Sequence, residues 1–232
     1  MSGEYEKQEE RFMNILEKLQ LLPKPGQVAL DLGCGHGIQS MAMAKAGYQV
    51  HAIDFNRDLL DELSANNSQG LPITVYEADF IEFDLSTLAN VSLVTCCGDT
   101  LSLLDKEEQI PELFSQLYKN TDKNCLLLLE FRENESQQPG EEVLVPLRVE
   151  KYATAACLLE YSIQHIQVTD ILIDQPGMDW KVSKSTYLKS RLGLNSVKRM
   201  LFSPGYQVRS AFQEAGKTIL LAKKSQGING LW

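Results

Sequence analysis

The segment Asp31-Leu32-Gly33-Cys34-Gly35-His36-Gly37 sets three glycines at alternate positions, with a carboxylate two residues before the first. Glycines in this pattern let the backbone take φ > 0 and come close to a bound molecule. Nineteen residues after Gly35, an apolar run ends in a second acid, Asp54. A carboxylate so placed can accept both hydroxyl hydrogens of a ribose, so the ligand reads as a nucleoside. A dinucleotide fingerprint would need its third glycine at position 38, where the chain has Ile38. A carboxylate at position 31 would also repel a pyrophosphate, whereas it suits a cationic ammonium.

The elements around the loop are those that hold a ligand at strand ends. Phe12, Ile15, Leu16 and Leu19 recur at helical spacing and predict an amphipathic helix over 5–22, stopped by Pro23 and Pro25. Val28–Leu32 reads as a strand ahead of the glycines. Ile38, Met41 and Ala42 then predict the inward side of a helix capped by Gly47. Strands follow at Val50–Ile53, Ile73–Ala78, Val91–Cys97 and Leu126–Phe131, with helices around Arg57–Ala65 and within Asp105–Asn120. The strands are continuous apolar runs, as in a parallel sheet covered on both faces. Strands alternating with helices imply right-handed crossovers, with the ligand at the carboxyl ends of the strands.

Past Arg132 the texture changes. Asn134–Glu142 is polar and reads as a loop. Val143, Val145, Leu147 and Val149 alternate, as do Leu159, Tyr161 and Ile163. Ile171–Asp174, the turn Pro176–Gly177 and Trp180–Leu188 predict a hairpin. Asn195–Phe202 predicts a short helix, and Tyr206–Phe212 with Thr218–Ala222 a closing strand pair. The fold class is α/β: a doubly wound, mostly parallel, seven-stranded Rossmann-like sheet with an antiparallel terminal hairpin and an inserted antiparallel β cap. The expected divisions are 1–133, the nucleoside-binding core with its N-terminal helix; 134–190, the insertion, a substrate cap; 191–224, the end of the core; and 225–232, a flexible tail.

Composition narrows the partners. A net charge of −9 repels a phosphate backbone unless a basic face compensates. The densest basic stretch, Lys181–Arg199, has six Lys or Arg in 19 residues and only Tyr187 as an interleaved aromatic, so it reads as solvated surface. Nucleic acid is therefore disfavoured as a partner. No opening segment reads as a secretory signal, and no apolar run reaches the roughly 20 residues a bilayer needs. Cys34, Cys96, Cys97, Cys125 and Cys157 are odd in number and lack zinc spacing, so they read as buried thiols in a reducing cytoplasm, and no metal site is expected. Monomer and homodimer both stay open.

The stretch Val28-Ala-Leu-Asp-Leu-Gly-Cys-Gly-His-Gly resembles the first motif of class I S-adenosylmethionine (SAM)-dependent methyltransferases. Further motifs follow in order: Asp54-Phe55-Asn56, Ala78-Asp79-Phe80, Cys96-Cys97-Gly98-Asp99-Thr100-Leu101, Glu130-Phe131-Arg132, and the hairpin after Gly205-Tyr206. The fourth is similar to the C-x-G-[ND]-[ST] form of small-molecule members such as glycine N-methyltransferase. The pattern departs at Leu103, where such members usually carry His. No Asn/Asp-Pro-Pro-aromatic tetrad, used by methylases of nucleic-acid bases, follows the fourth strand.

The resemblance implies SAM as cofactor, with S-adenosylhomocysteine as its product, and methyl transfer to a small molecule, nitrogen being favoured. RNA or protein methylation and non-catalytic SAM binding are the alternatives. It also implies cofactor contacts from Asp31, Gly33, Cys34, Gly35, Gly37, Asp54, Phe55, Asn56, Asp79, Phe80, Cys97, Gly98 and Asp99. The methionyl ammonium beside Asp31 favours SAM over NAD on physical grounds too. Candidates for positioning the acceptor are Arg132, Trp180, Tyr187, Arg191 and His36; no catalytic base is assigned.

Overall fold

A computed structural model of the chain describes residues 2–104, 106, 108–175 and 179–225. In chain order the core contains α1 (Ser2–Lys18), β1 (Val28–Leu32), α2 (Ile38–Ala46), β2 (Gln49–Asp54), α3 (Arg57–Asn66), β3 (Ile73–Glu77), β4 (Val91–Cys96), α4 (Gln109–Asn120) and β5 (Leu126–Phe131). The cap is β6 (Glu142–Val149), β7 (Ala153–Tyr161), β8 (His165–Asp174) and β9 (Lys181–Ser190). The core then closes with α5 (Leu194–Phe202), β10 (Tyr206–Glu214) and β11 (Lys217–Lys224).

The core sheet has seven strands in the order β10-β11-β5-β4-β1-β2-β3. β11 runs antiparallel to β5 and β10, and the remaining pairs are parallel. All five residues of β1 are buried, because helices cover both faces. Leu30 and Leu32 face a cluster that includes Phe114 and Leu201. Ala29, just before Leu30, faces the opposite cluster of Phe12, Leu16 and Met43. The five cysteines are free and buried. Among the described residues, no helix is long and apolar enough to cross a membrane, and no His/Cys/Asp/Glu cluster could hold a metal ion.

Several boundaries differ from the sequence reading. The first helix ends at Lys18 rather than residue 22, because Gln20 adopts φ 56°. The Gln20 and Leu21 N–H groups then close back on the Glu17 and Leu16 carbonyls, and buried Leu21 joins Leu16 in one apolar cluster. Ile163, expected within a strand, is 80% exposed in the β7–β8 turn, which Ser162 and His165 close by hydrogen bonds. The 171–174 strand begins earlier, at His165. Arg191, in the stretch expected to be solvated, folds inward, as does Lys189. Pro176–Gly177 and 226–232, expected as a turn and a tail, lie outside the described residues.

Candidate active site

Strand order reverses between β1 and β4, and the loops following β1, β2 and β4 converge there. The glycine loop leaves β1 with Gly33 at φ +64°, and a Cβ on Gly33 would lie 2.3 Å from the Thr100 methyl. Gly37, at φ +93°, caps α2. The Gly35 N–H donates to one oxygen of Asp54 (2.8 Å) and the Asn56 N–H to the other (2.9 Å). Asp54 is thus fixed by the loop it faces. It opens onto a cleft of about 250 Å³, whose other walls include Gly33, Phe55, Asp79, Phe80 and Thr100. Leu103, Leu104 and Gln109 complete the lining. An anchored carboxylate beside apolar walls fits a nucleoside, the ribose on Asp54 and the flat base against the apolar side.

Asp31 lies beneath the loop, 1% exposed. Ser40 of α2 donates to one of its oxygens (2.6 Å) and Thr95 of β4 to the other (2.7 Å). Burial raises its pKa to about 6, although the two hydroxyl bonds oppose the rise.

A second cavity, of about 340 Å³, lies between the strand ends and the cap sheet. Asp99 stands at its core end, beside the Thr100 that lines the nucleoside cleft. Lys189 of β9 donates to the Asp99 carboxylate (2.9 Å), and Arg132, at the end of β5, reaches the same oxygen at 3.4 Å. Burial opposes ionisation of Asp99, but these cations outweigh it and hold its pKa below the ordinary value. Val145, Leu159, Tyr161, Ile166 and Tyr187 supply apolar and aromatic walls, with Asp170 among them.

Residues 29–124 match the family described as a methyltransferase domain. Over these residues the chain carries a methyltransferase domain. A cypemycin N-terminal methyltransferase of a Streptomyces species is 36% identical over 87 residues, spanning 38% of this chain and 34% of that protein. A putative methyltransferase of Bacillus subtilis is 28% identical over 109 residues, 47% of this chain and 43% of that protein. The chain therefore spans less than half the length of these curated relatives. Among solved structures, the CcbJ methyltransferase of Streptomyces caelestis superposes with TM-score 0.78 at 15% identity, covering 93% of this chain and 94% of that one. That likeness is one of fold.

Within the methyltransferase domain, the residues expected at the cofactor divide. Gly33, Asp54, Phe55, Asp79 and Phe80 line the cleft. Phe55 is 69% exposed on its rim. Asp79 accepts from the Ile81 N–H (2.9 Å), which orients its carboxylate. The Asn56 side chain instead caps α3, accepting from the Asp58 and Leu59 N–H groups. The Cys34 thiol packs with Ala52, Leu60 and Leu63, and Cys97 packs with the α1 and α2 cluster. Gly98 turns the chain at φ +73° to bring Asp99 to the rim.

The acceptor candidates divide as well. Arg132 and Tyr187 line the second cavity. Trp180 precedes β9 and is 56% exposed, outside that lining. The Arg191 guanidinium donates to the carbonyls of Ser162, Asn134, Glu135 and Gln137, so it splints the chain where the cap joins the core. The His36 ring tilts against Tyr5 of α1, with centroids 5.5 Å apart, and lines a separate groove beside α1 and α3. Sequence reasoning missed Leu104, Gln109, Lys189 and Asp170. Lys189 was hidden in a basic run, and Asp170 falls just before the segment read as a strand.

Proposed function

We propose that the chain transfers the SAM methyl group to a small-molecule acceptor, at nitrogen, by in-line displacement. The carrying observation is the shared wall. Asp99 and Thr100 are consecutive, and one faces the cap cavity while the other faces the nucleoside cleft. SAM, when bound, supplies a methyl carbon already activated by its sulfonium. The protein's work is then placement: a nucleophile held about 3 Å from that carbon gains most of its acceleration from approach and orientation. Asp54 holds the ribose, Asp79 and Phe80 the base, and Asp31 with the glycine loop the methionyl end. The segment from Cys97 to Asp99 forms the rim, and the cap excludes water, which strengthens every charge interaction inside. The similarity to an N-terminal methyltransferase supports nitrogen as the acceptor atom.

The test is incubation with labelled SAM and a cell extract separated into metabolite and polymer fractions, with mass-spectrometric identification of the product. The reading predicts label in a small N-methylated compound, lost on Asp54→Ala. Label confined to RNA or protein, or absent from every fraction, contradicts it.

A further inference from the structure

The cap sheet turns one face toward the core, and its alternation is regular. Ile166 and Val168 of β8 are buried on that face. Leu159 of β7 and Tyr187 of β9 flank Val168 as its cross-strand partners. Asp170 is the next residue of the same alternation, so an apolar face carries a carboxylate directly into the cavity. Its cross-strand neighbour is Cys157. The Tyr187 hydroxyl lies within hydrogen-bonding reach, and burial together with the Asp170 charge pushes the Tyr187 pKa up to about 12, so this hydroxyl stays a donor at neutral pH.

The other two carboxylates lining the cavity are satisfied. Asp99 has Lys189 and Arg132. Glu133 accepts from Thr218, Gln213 and the Leu194 N–H. Asp170 accepts from the Tyr187 hydroxyl and the Cys157 thiol, but among the described residues it forms no ion pair with a lysine or arginine. A carboxylate drawn partly out of water without a counter-charge is costly, and a ligand cation relieves that cost.

We propose that Asp170 is the anchor for a positive charge on the acceptor, at the end remote from the atom that is methylated. Lys189, which reaches Asp99 at the cofactor end, pairs across β8 with Ile166. Asp170 lies four residues farther along the strand, a Cα separation of about 13 Å. The acceptor class is therefore an elongated small molecule: a protonated amine or other cation at one end, an apolar middle against Leu159, which pairs with Val168 midway between Ile166 and Asp170, and the accepting atom at the other end. Asp170 is a specificity residue and takes no proton in the reaction. The proposal rests on the methyltransferase reading.

Cys157 supplies a test independent of the unknown acceptor, because its thiol lines the same cavity beside Asp170. The full chain is treated with a cationic reagent, 2-(trimethylammonium)ethyl methanethiosulfonate, and with its anionic 2-sulfonatoethyl counterpart. Modification of Cys157 is followed by peptide mass spectrometry, and each rate is normalised to that of a small free thiol. The cationic reagent is expected to react at least fivefold faster. Asp170→Asn should bring the ratio toward one, and Asp170→Glu should preserve it, both with SAM affinity within about twofold of the parent. Asp170→Glu guards against a fold defect in the neutral variant. A ratio of one or below in the parent overturns the proposal. So does a ratio unchanged by Asp170→Asn, or a Cys157 closed to both reagents. Failure of the parent to bind SAM counts against the methyltransferase reading instead and leaves the ratio readable.

Discussion

Asp31 shows what one residue's surroundings decide. Its carboxylate is buried and its pKa rises from 3.8 to about 6. The native state therefore holds more protons than the unfolded chain between about pH 4 and pH 6. Stability contributed by Asp31 is full below this window and falls as pH rises through it, by roughly 3 kcal/mol for about two pKa units. Asp99 and Glu130 have lowered pKa values and act in the opposite sense, losing stability as pH falls. Comparison with Asp31→Asn isolates the Asp31 share: the parent should lose melting temperature relative to the variant from pH 4.5 to 6.5. A cation bound at the glycine loop favours the ionised carboxylate, so SAM should bind more tightly at pH 7.5 than at 5.5 in the parent and evenly in the variant. Parallel pH curves by calorimetry and thermal melting contradict this role. The sequence made Asp31 and Asp54 legible because their spacing to the glycines carries their chemistry. It did not make their partners legible, because Ser40 and Thr95 reach Asp31 only once α2 and β4 are packed around β1.

At the scale of elements, continuous apolar runs were easy to read and cap strands were harder. β1, β2, β4 and β5 fall close to their expected limits because burial on both faces makes them mostly apolar runs with few polar positions to blur them. The cap strands are half-exposed, so Ile163 looked like one more alternating position although its turn carries it outward. The cap is joined to the core through Arg191, just past the insertion, whose guanidinium ties together carbonyls at the start of the insertion and in the β7–β8 turn. Hydrogen bonds to a charged group are worth about 1.5–3 kcal/mol each, less where water competes. Arg191→Ala should cost roughly 3 kcal/mol and open the 134–142 segment to proteolysis while leaving SAM affinity in place, because none of these contacts touches the nucleoside cleft. Limited proteolysis with SAM titration checks this; a variant as resistant as the parent would show the splint to be dispensable.

For the whole molecule, the seven-stranded, mostly parallel architecture followed from strand–helix alternation, a local signal, and the glycine loop falls where the strand order reverses. The second cavity did not follow, since Asp99, Asp170 and Lys189 come from segments up to 90 residues apart and meet only after the cap folds over the strand ends. The central claim is that the cleft at the carboxyl ends of β1, β2 and β4 holds SAM, and titration calorimetry with SAM, S-adenosylhomocysteine and NADH tests it most directly. The account predicts one saturable site for each of the first two and no heat from NADH beyond dilution; tight NADH binding without a response to SAM would contradict it.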